Sequence, residues 1–275
     1  MPRPGEGFSP ILSPVRLYER IFLMSKKTLA ILAASLTLSF CASKPKKPTL
    51  DPDKDPQYQY DKALISTRYG LENEALKYLN EALALDPDHA PSLKLLGTVQ
   101  FKKKNFEEAA AALERYLELQ PNDAEAHTSL GITYEQLGQA SRAEAEYQKA
   151  IGIDGHPEAA FGLAKLYYDQ TKLEAALEII GGAIEKNPRS APYYNLQGVI
   201  LNQMGRYPDA LASFQNALHY APNDIYLAVN LGIAYINNKQ PDKARELLEK
   251  VLSSVQDEDL KTKINEYLKL IKENQ

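Results

Sequence analysis

A spacing of 34 residues constrains this 275-residue chain more than any other feature. Pro87 and Pro121 stand 34 residues apart, as do Pro188 and Pro222. Each closes a similar phrase: ALALDPDHA, YLELQPNDA, AIEKNPRSA and ALHYAPNDI. From Pro121 to Pro188 the distance is 67, one short of two periods, and the missing proline falls near Gly155 in AIGIDGHPEA. Self-similarity at such a period marks stacked units, each too small to bury its own apolar face and stable only against its neighbours. Proline suits the unit boundary because it cannot continue a helix.

The interior of each unit is equally regular. Alanine recurs twelve places before the closing proline, at Ala75, Ala109, Ala176 and Ala210, with Ala143 and Ala244 in the third and sixth units. Small residues recur five places before it, at Ala82, Ala183 and Ala217, with Ala150 in the third unit. Twelve residues before the first alanine stand Ala63, Gly97, Gly131, Ala164, Gly198 and Gly232, and three further along come Tyr134, Tyr167 and Tyr235. This small–aromatic–small signature resembles the tetratricopeptide repeat (TPR), a helix–turn–helix unit. The resemblance covers residues 56–256. It implies an all-α, right-handed superhelical solenoid of six units, 56–89, 90–123, 124–156, 157–190, 191–224 and 225–256.

Physical chemistry explains these residue types. A glycine or alanine at the crossing lets two helices approach, with an aromatic filling the gap beside it, so a bulky residue at Gly131 or Ala143 should overpack the joint. Gly70, Gly138 and Gly205 fall in the turns within units, where a positive φ is useful. In the first unit Gln59 and Lys62 replace large apolar residues, which suits an end unit facing solvent. In the fifth, Gln197 replaces the usual leucine, with Leu196 one place early. Residues 257–275 carry Leu260, Ile264, Leu268 and Ile271 at helical spacing and read as a capping helix.

The N-terminal region is of another kind. TLAILAASLTL is uncharged, follows Lys26-Lys27, and is too short to span a bilayer. It suits the apolar core of a signal peptide over 24–40, with MSKK as its basic start at Met24 and residues 1–23 as an upstream extension. Leu38-Ser39-Phe40-Cys41 resembles a lipobox, although Phe40 replaces the family's small residue. The resemblance implies cleavage before Cys41 and acylation of its thiol, giving a palmitate-type membrane anchor; two or more acyl chains hold stably. Cys41 is the only cysteine, so no internal disulfide can form. Prolines 45, 48, 52 and 56 among lysines and aspartates make 41–55 an extended tether.

No chemistry-bearing motif is present: no phosphate-binding glycine loop, no H-E-x-x-H, no G-x-S-x-G. The four histidines, 89, 127, 156 and 219, lack metal-ligand spacing, and His127 reads as core filling. A net charge of -4 gives no basic footprint for nucleic acid. No enzyme activity, cofactor, metal or small-molecule substrate is expected.

By the resemblance, the first helix of each unit lines a concave protein-binding face. The positions facing it are Tyr60, Lys94, Thr98, Phe101, Thr128, Ile132, Phe161, Lys165, Tyr168, Asn195, Val199, Asn202, Tyr226, Val229 and Ile233. Aromatics suit such a face because they contribute area at low entropy cost. The clamp by which chaperone co-factors hold a C-terminal carboxylate is absent: Lys94 and Thr98 are followed by Ser129, Glu158 and Gly162. Only Asn230 occupies the position of the family's asparagine ladder, so no ladder is expected. Anchor, tether and repeats together resemble the TPR lipoproteins that assist type IV pilus and secretin assembly, on the periplasmic face of the outer membrane. Scaffolds for peptidoglycan hydrolases, a soluble periplasmic or cytoplasmic adaptor, and an enzyme subunit are the alternatives.

Overall fold

A computed structural model describes residues 52–273. The upstream extension, the signal segment, Cys41 and the tether up to residue 51 lie outside the described residues. Among those described there are thirteen α-helices and no strand. They are α1 (Pro56–Arg68), α2 (Glu72–Leu85), α3 (Ala90–Lys102), α4 (Phe106–Leu119), α5 (Ala124–Gln136), α6 (Ala140–Asp154), α7 (Pro157–Asp169), α8 (Leu173–Lys186), α9 (Ala191–Gln203), α10 (Tyr207–Tyr220), α11 (Ile225–Asn237), α12 (Pro241–Leu252) and α13 (Glu258–Glu273). The fold is an all-α solenoid. Helices pair α1 with α2, α3 with α4, and so on to α12, and each even-numbered helix packs on the next odd-numbered one. Odd-numbered helices also touch the next odd-numbered helix, from α1 through α9, which makes them the closer-packed, inner layer.

Local signals set the helix ends. Asp55, Asp123 and Asp224 cap α1, α5 and α11 by accepting from the backbone N–H of Gln57, Ala126 and Leu227. The turn within each unit needs one residue at positive φ. Gly70, Gly138 and Gly205 supply it, but Lys104, Thr171 and Lys239 hold the same place in the other three units, at φ of 64°, 60° and 57°. The proline-less boundary is closed by Gly155 at φ 71°, which caps α6.

The joint inside each unit differs in one respect from expectation. The gap at the small residue is filled from the even-numbered helix, four places after its first alanine. An added Cβ at Gly97 would lie 2.6 Å from Leu113 Cγ, at Gly198 2.8 Å from Phe214 Cε1, and at Gly232 2.7 Å from Leu248 Cδ2. In the third unit Tyr147 is pinned twice: 2.6 Å from a Cβ at Gly131 and 2.7 Å from one at Gly162 of the next unit. Tyr134 is buried as well, in the cluster that runs from Leu93 to Leu166, but it is not the wedge at the crossing.

Three polar substitutions are absorbed by specific bonds. Gln59 does not face solvent: it is buried, and its Nε2 donates to the Asp53 carbonyl at 3.0 Å, tying α1 to the 3-10 turn Pro52–Lys54. Residues 52–54 of the expected tether are therefore folded onto the first unit. Gln197 Oε1 accepts from Ser213 Oγ at 2.9 Å across the α9–α10 joint. His127 is buried but not as apolar filling. Its Nδ1 meets Glu146 Oε2 at 2.6 Å and its Nε2 meets the Pro121 carbonyl at 3.0 Å. At the C-terminus α13 buries Ile264 and Ile271, with Leu260 and Leu268 beside them, against Val229, Leu248 and Val255.

Candidate binding groove

The inner layer positions the expected groove residues. At 3.6 residues per turn, the fifth, ninth and twelfth places of each odd-numbered helix share one side. The N-terminal half gathers five of them. Tyr60, Lys94 and Thr98 line a cleft of about 520 Å³ with Leu95, Tyr116 and Gln120. Thr98, Phe101 and Ile132 line an adjoining slot of about 110 Å³ with Leu113 and Ser129. Thr98 lines both. The floor is apolar with hydroxyls at its edge, which suits an extended chain with alternating side chains.

Charge in this half is already paired. Lys94 Nζ donates to Asp123 Oδ2 at 2.9 Å and to Glu125 Oε2 at 2.7 Å. Burial alone would lower the Lys94 ammonium; the two carboxylates outweigh it and raise it. Burial likewise favours a neutral Asp123, but the Tyr116 hydroxyl, the Lys94 ammonium and the Ala126 N–H hold its carboxyl down at about 2. Tyr116 Oη donates to Asp123 Oδ2 at 2.6 Å, so one carboxylate joins α3, α4 and α5. Lys94 thus positions the α3–α5 wall more than it offers a free cation. Lys165 is exposed, 3.7 Å from Glu135 Oε1, and Glu135 also accepts from the Tyr147 hydroxyl.

The C-terminal half is built from rings and amides. Phe161 stacks on Tyr193 with centroids 5.4 Å apart. Tyr168 lies half-buried on the inner wall, its hydroxyl 3.5 Å from Gln203 Oε1. Asn230 Nδ2 donates to Asn195 Oδ1 at 2.9 Å, and Asn237 Nδ2 donates to Asn202 Oδ1 at 2.7 Å. Four asparagines therefore run across α9 and α11, although the single-position count leaves only Asn230. The signal was present as two pairs 35 residues apart, one place off the 34-residue period. Tyr226 is 62% exposed at the lip. Val199 and Ile233 are half-buried against neighbouring helices.

Two expected groove residues are corrected. Thr128 is buried, and its hydroxyl donates to the Ala124 carbonyl of its own helix at 2.7 Å. Val229 is buried among Ala244, Leu248, Val255 and Ile264. At Val229 the cluster joins α11 to α12 and to the capping helix α13. Neither side chain is available to a ligand. Among the described residues no group of His, Cys, Asp or Glu is placed to hold a metal ion, and no helix is long and apolar enough to cross a membrane.

Comparisons with known proteins agree with this architecture. A family model described as "Cilia and flagella-associated protein 70 middle TPR-like domain" matches residues 48–153, and two described as "Tetratricopeptide repeat" match 161–225 and 201–264. The chain is a tetratricopeptide-repeat protein. It is similar to BBSome complex member BBS4 of Bos taurus, 26% identical over 165 residues, which are 60% of this chain and 32% of that protein. The chain spans about a third or less of the length of the first curated relatives it matches. Among solved structures, a tetratricopeptide repeat protein from Parabacteroides merdae aligns with a TM-score of 0.64 at 18% identity, covering 78% of this chain and 98% of that one. PilW, described as a widely conserved type IV pilus biogenesis factor, aligns with a TM-score of 0.63 at 14% identity, covering 72% and 92%. At these identities the likeness is one of fold. Repeat proteins of this class bind protein or peptide partners.

Proposed function

We propose that this protein is a binding scaffold that takes an extended segment of a partner protein along its inner face. One observation carries the reading: the inner layer holds two neighbouring clefts, lined by Tyr60, Thr98, Phe101 and Ile132 in its N-terminal half, and paired asparagine amides in its C-terminal half. Apolar slots take side chains, and asparagine amides both donate to and accept from a peptide backbone. We further propose that Cys41 carries the lipid and that the scaffold serves an envelope assembly machine, of the pilus or secretin kind. The lipobox-like sequence, the proline-rich tether and the fold shared with PilW support this.

Two experiments test it. A photo-crosslinking amino acid at Phe101 or Asn202 should capture one partner from intact cells, while the same probe at Glu178 on the outer side of α8 should not. Equal capture from both sides sinks the groove. Palmitate should label the wild type and not Cys41→Ala; an unlabelled, soluble wild type removes the anchor and leaves a soluble adaptor.

A further inference from the structure

The two ends of the solenoid are unlike. At the third and tenth places of each odd-numbered helix from α3 to α11 the side chains are buried. The preceding unit is what buries them: Val99 packs on Ala63, Ala75 and Leu79, and Tyr193 with Ile200 on Ala160, Ala176 and Ile180. In α1 the same two places hold Tyr58 and Ile65, 43% and 55% exposed, and one turn on Tyr69 is 76% exposed. At 100° per residue these three fall in a stripe about 40° wide. The opposite end is closed by α13, whose outer side exposes Lys263, Glu266 and Lys269 around a single apolar residue, Leu270. An apolar stripe has no match on that charged helix, so head-to-tail stacking is disfavoured.

We infer that the α1 stripe is a two-fold interface with a second copy of this chain. Self-complementarity of charge identifies the occupant. Asp61 and Arg68 are exposed, seven residues apart, and lie on one flank of the stripe. A two-fold axis beside Leu64 and Ile65 reverses the second helix and brings the same flank against itself. Asp61 of each copy then faces Arg68 of the other, Ile65 packs on its own counterpart across the axis, and Tyr58 lies toward the Tyr69 end of the other copy. Being isologous, the contact closes at two copies and does not propagate.

Sedimentation equilibrium of the full chain under reducing conditions tests this. The wild type should be a dimer that dissociates on dilution. Ile65→Asp should raise the dissociation constant about tenfold or more, with helical content unchanged because the site is exposed. Tyr69→Glu repeats the test at a second position. Asp61→Arg should weaken the dimer, and Asp61→Arg combined with Arg68→Asp should restore it, since both charges of each pair are then exchanged. A wild type that stays monomeric at the highest concentration overturns the proposal, as it would if residues 1–51 of the same chain covered the stripe. A dimer indifferent to Ile65→Asp, or a double exchange that fails to restore association, overturns it as well.

Discussion

At the scale of single residues, the joints and turns make opposite demands on glycine. Tyr147 is held between Gly131 and Gly162 and has nowhere to move. Gly131→Ala should therefore lower stability by about 1–2 kcal/mol, overpacking outweighing the gain in helix propensity. Gly152→Ala, with nothing within 4 Å, should raise it by about 0.5–1 kcal/mol. Urea midpoints of the two variants should move in opposite directions. Thr171 is β-branched and sits at φ 60° where three other units use glycine. Thr171→Gly should stabilise by about 0.5–1 kcal/mol, read as a rise in melting temperature. Asp123 makes stability depend on acid. Its folded value of about 2 lies below the ordinary 3.8, so the contribution is complete above about pH 4 and is lost as pH falls toward 2. Allowing for solvent screening it amounts to about 1 kcal/mol, and Asp123→Asn should flatten that part of the urea-midpoint profile. The glycines of the joints were legible because their spacing repeats. Gly162 and Thr171 were not, because each acts once and only the packed structure brings its partner or its dihedral into view.

At the scale of elements, the helix ends follow the prolines, the capping aspartates and Gly155, and the period exposes them well. What the period hides is polar compensation. Gln59, Gln197 and His127 each break the apolar pattern, and each is bonded by a partner from another element: the 3-10 turn (to the Gln59 amide nitrogen, its buried Oε1 having no partner), α10, and α6 with the Pro121 carbonyl. Such partners lie 6 to 19 residues away with no repeating offset, so no count along the chain finds them. His127→Phe should cost about 2–3 kcal/mol, because it leaves the buried Glu146 carboxylate with Lys149 alone; a thermal melt reads this directly. The cap α13 is the element whose loss is most local. Ending the chain at residue 256 should expose Val229 and Leu248, and hydrogen exchange should speed up in α11 and α12 while α1 to α4 keep their protection.

At the scale of the whole molecule, contacts run between neighbours, so cohesion varies along the array. The largest continuous cluster joins Leu93 to Leu166 across the second, third and fourth units. Slowest hydrogen exchange is expected there, in α5 and α6, with protection falling toward α12; uniform protection would contradict nearest-neighbour cohesion. The inner wall was legible as a set of positions but not as chemistry. Lys94 reads as a free cation until Asp123 and Glu125 are placed beside it, and Thr128 and Val229 read as open until the packed helices show them buried. The amide pairs escaped because the coil shifts each partner by one residue.

That third boundary, where the proline is missing, has a mechanical consequence. Four residues join α2 to α3, α4 to α5, α8 to α9 and α10 to α11, but only Gly155 and His156 join α6 to α7. Two residues leave about four soft dihedral angles where the other joints leave about eight. That boundary is therefore the one with the least slack in its chain, and any change of angle between the third and fourth units has to pass through the torsions of Gly155 and His156.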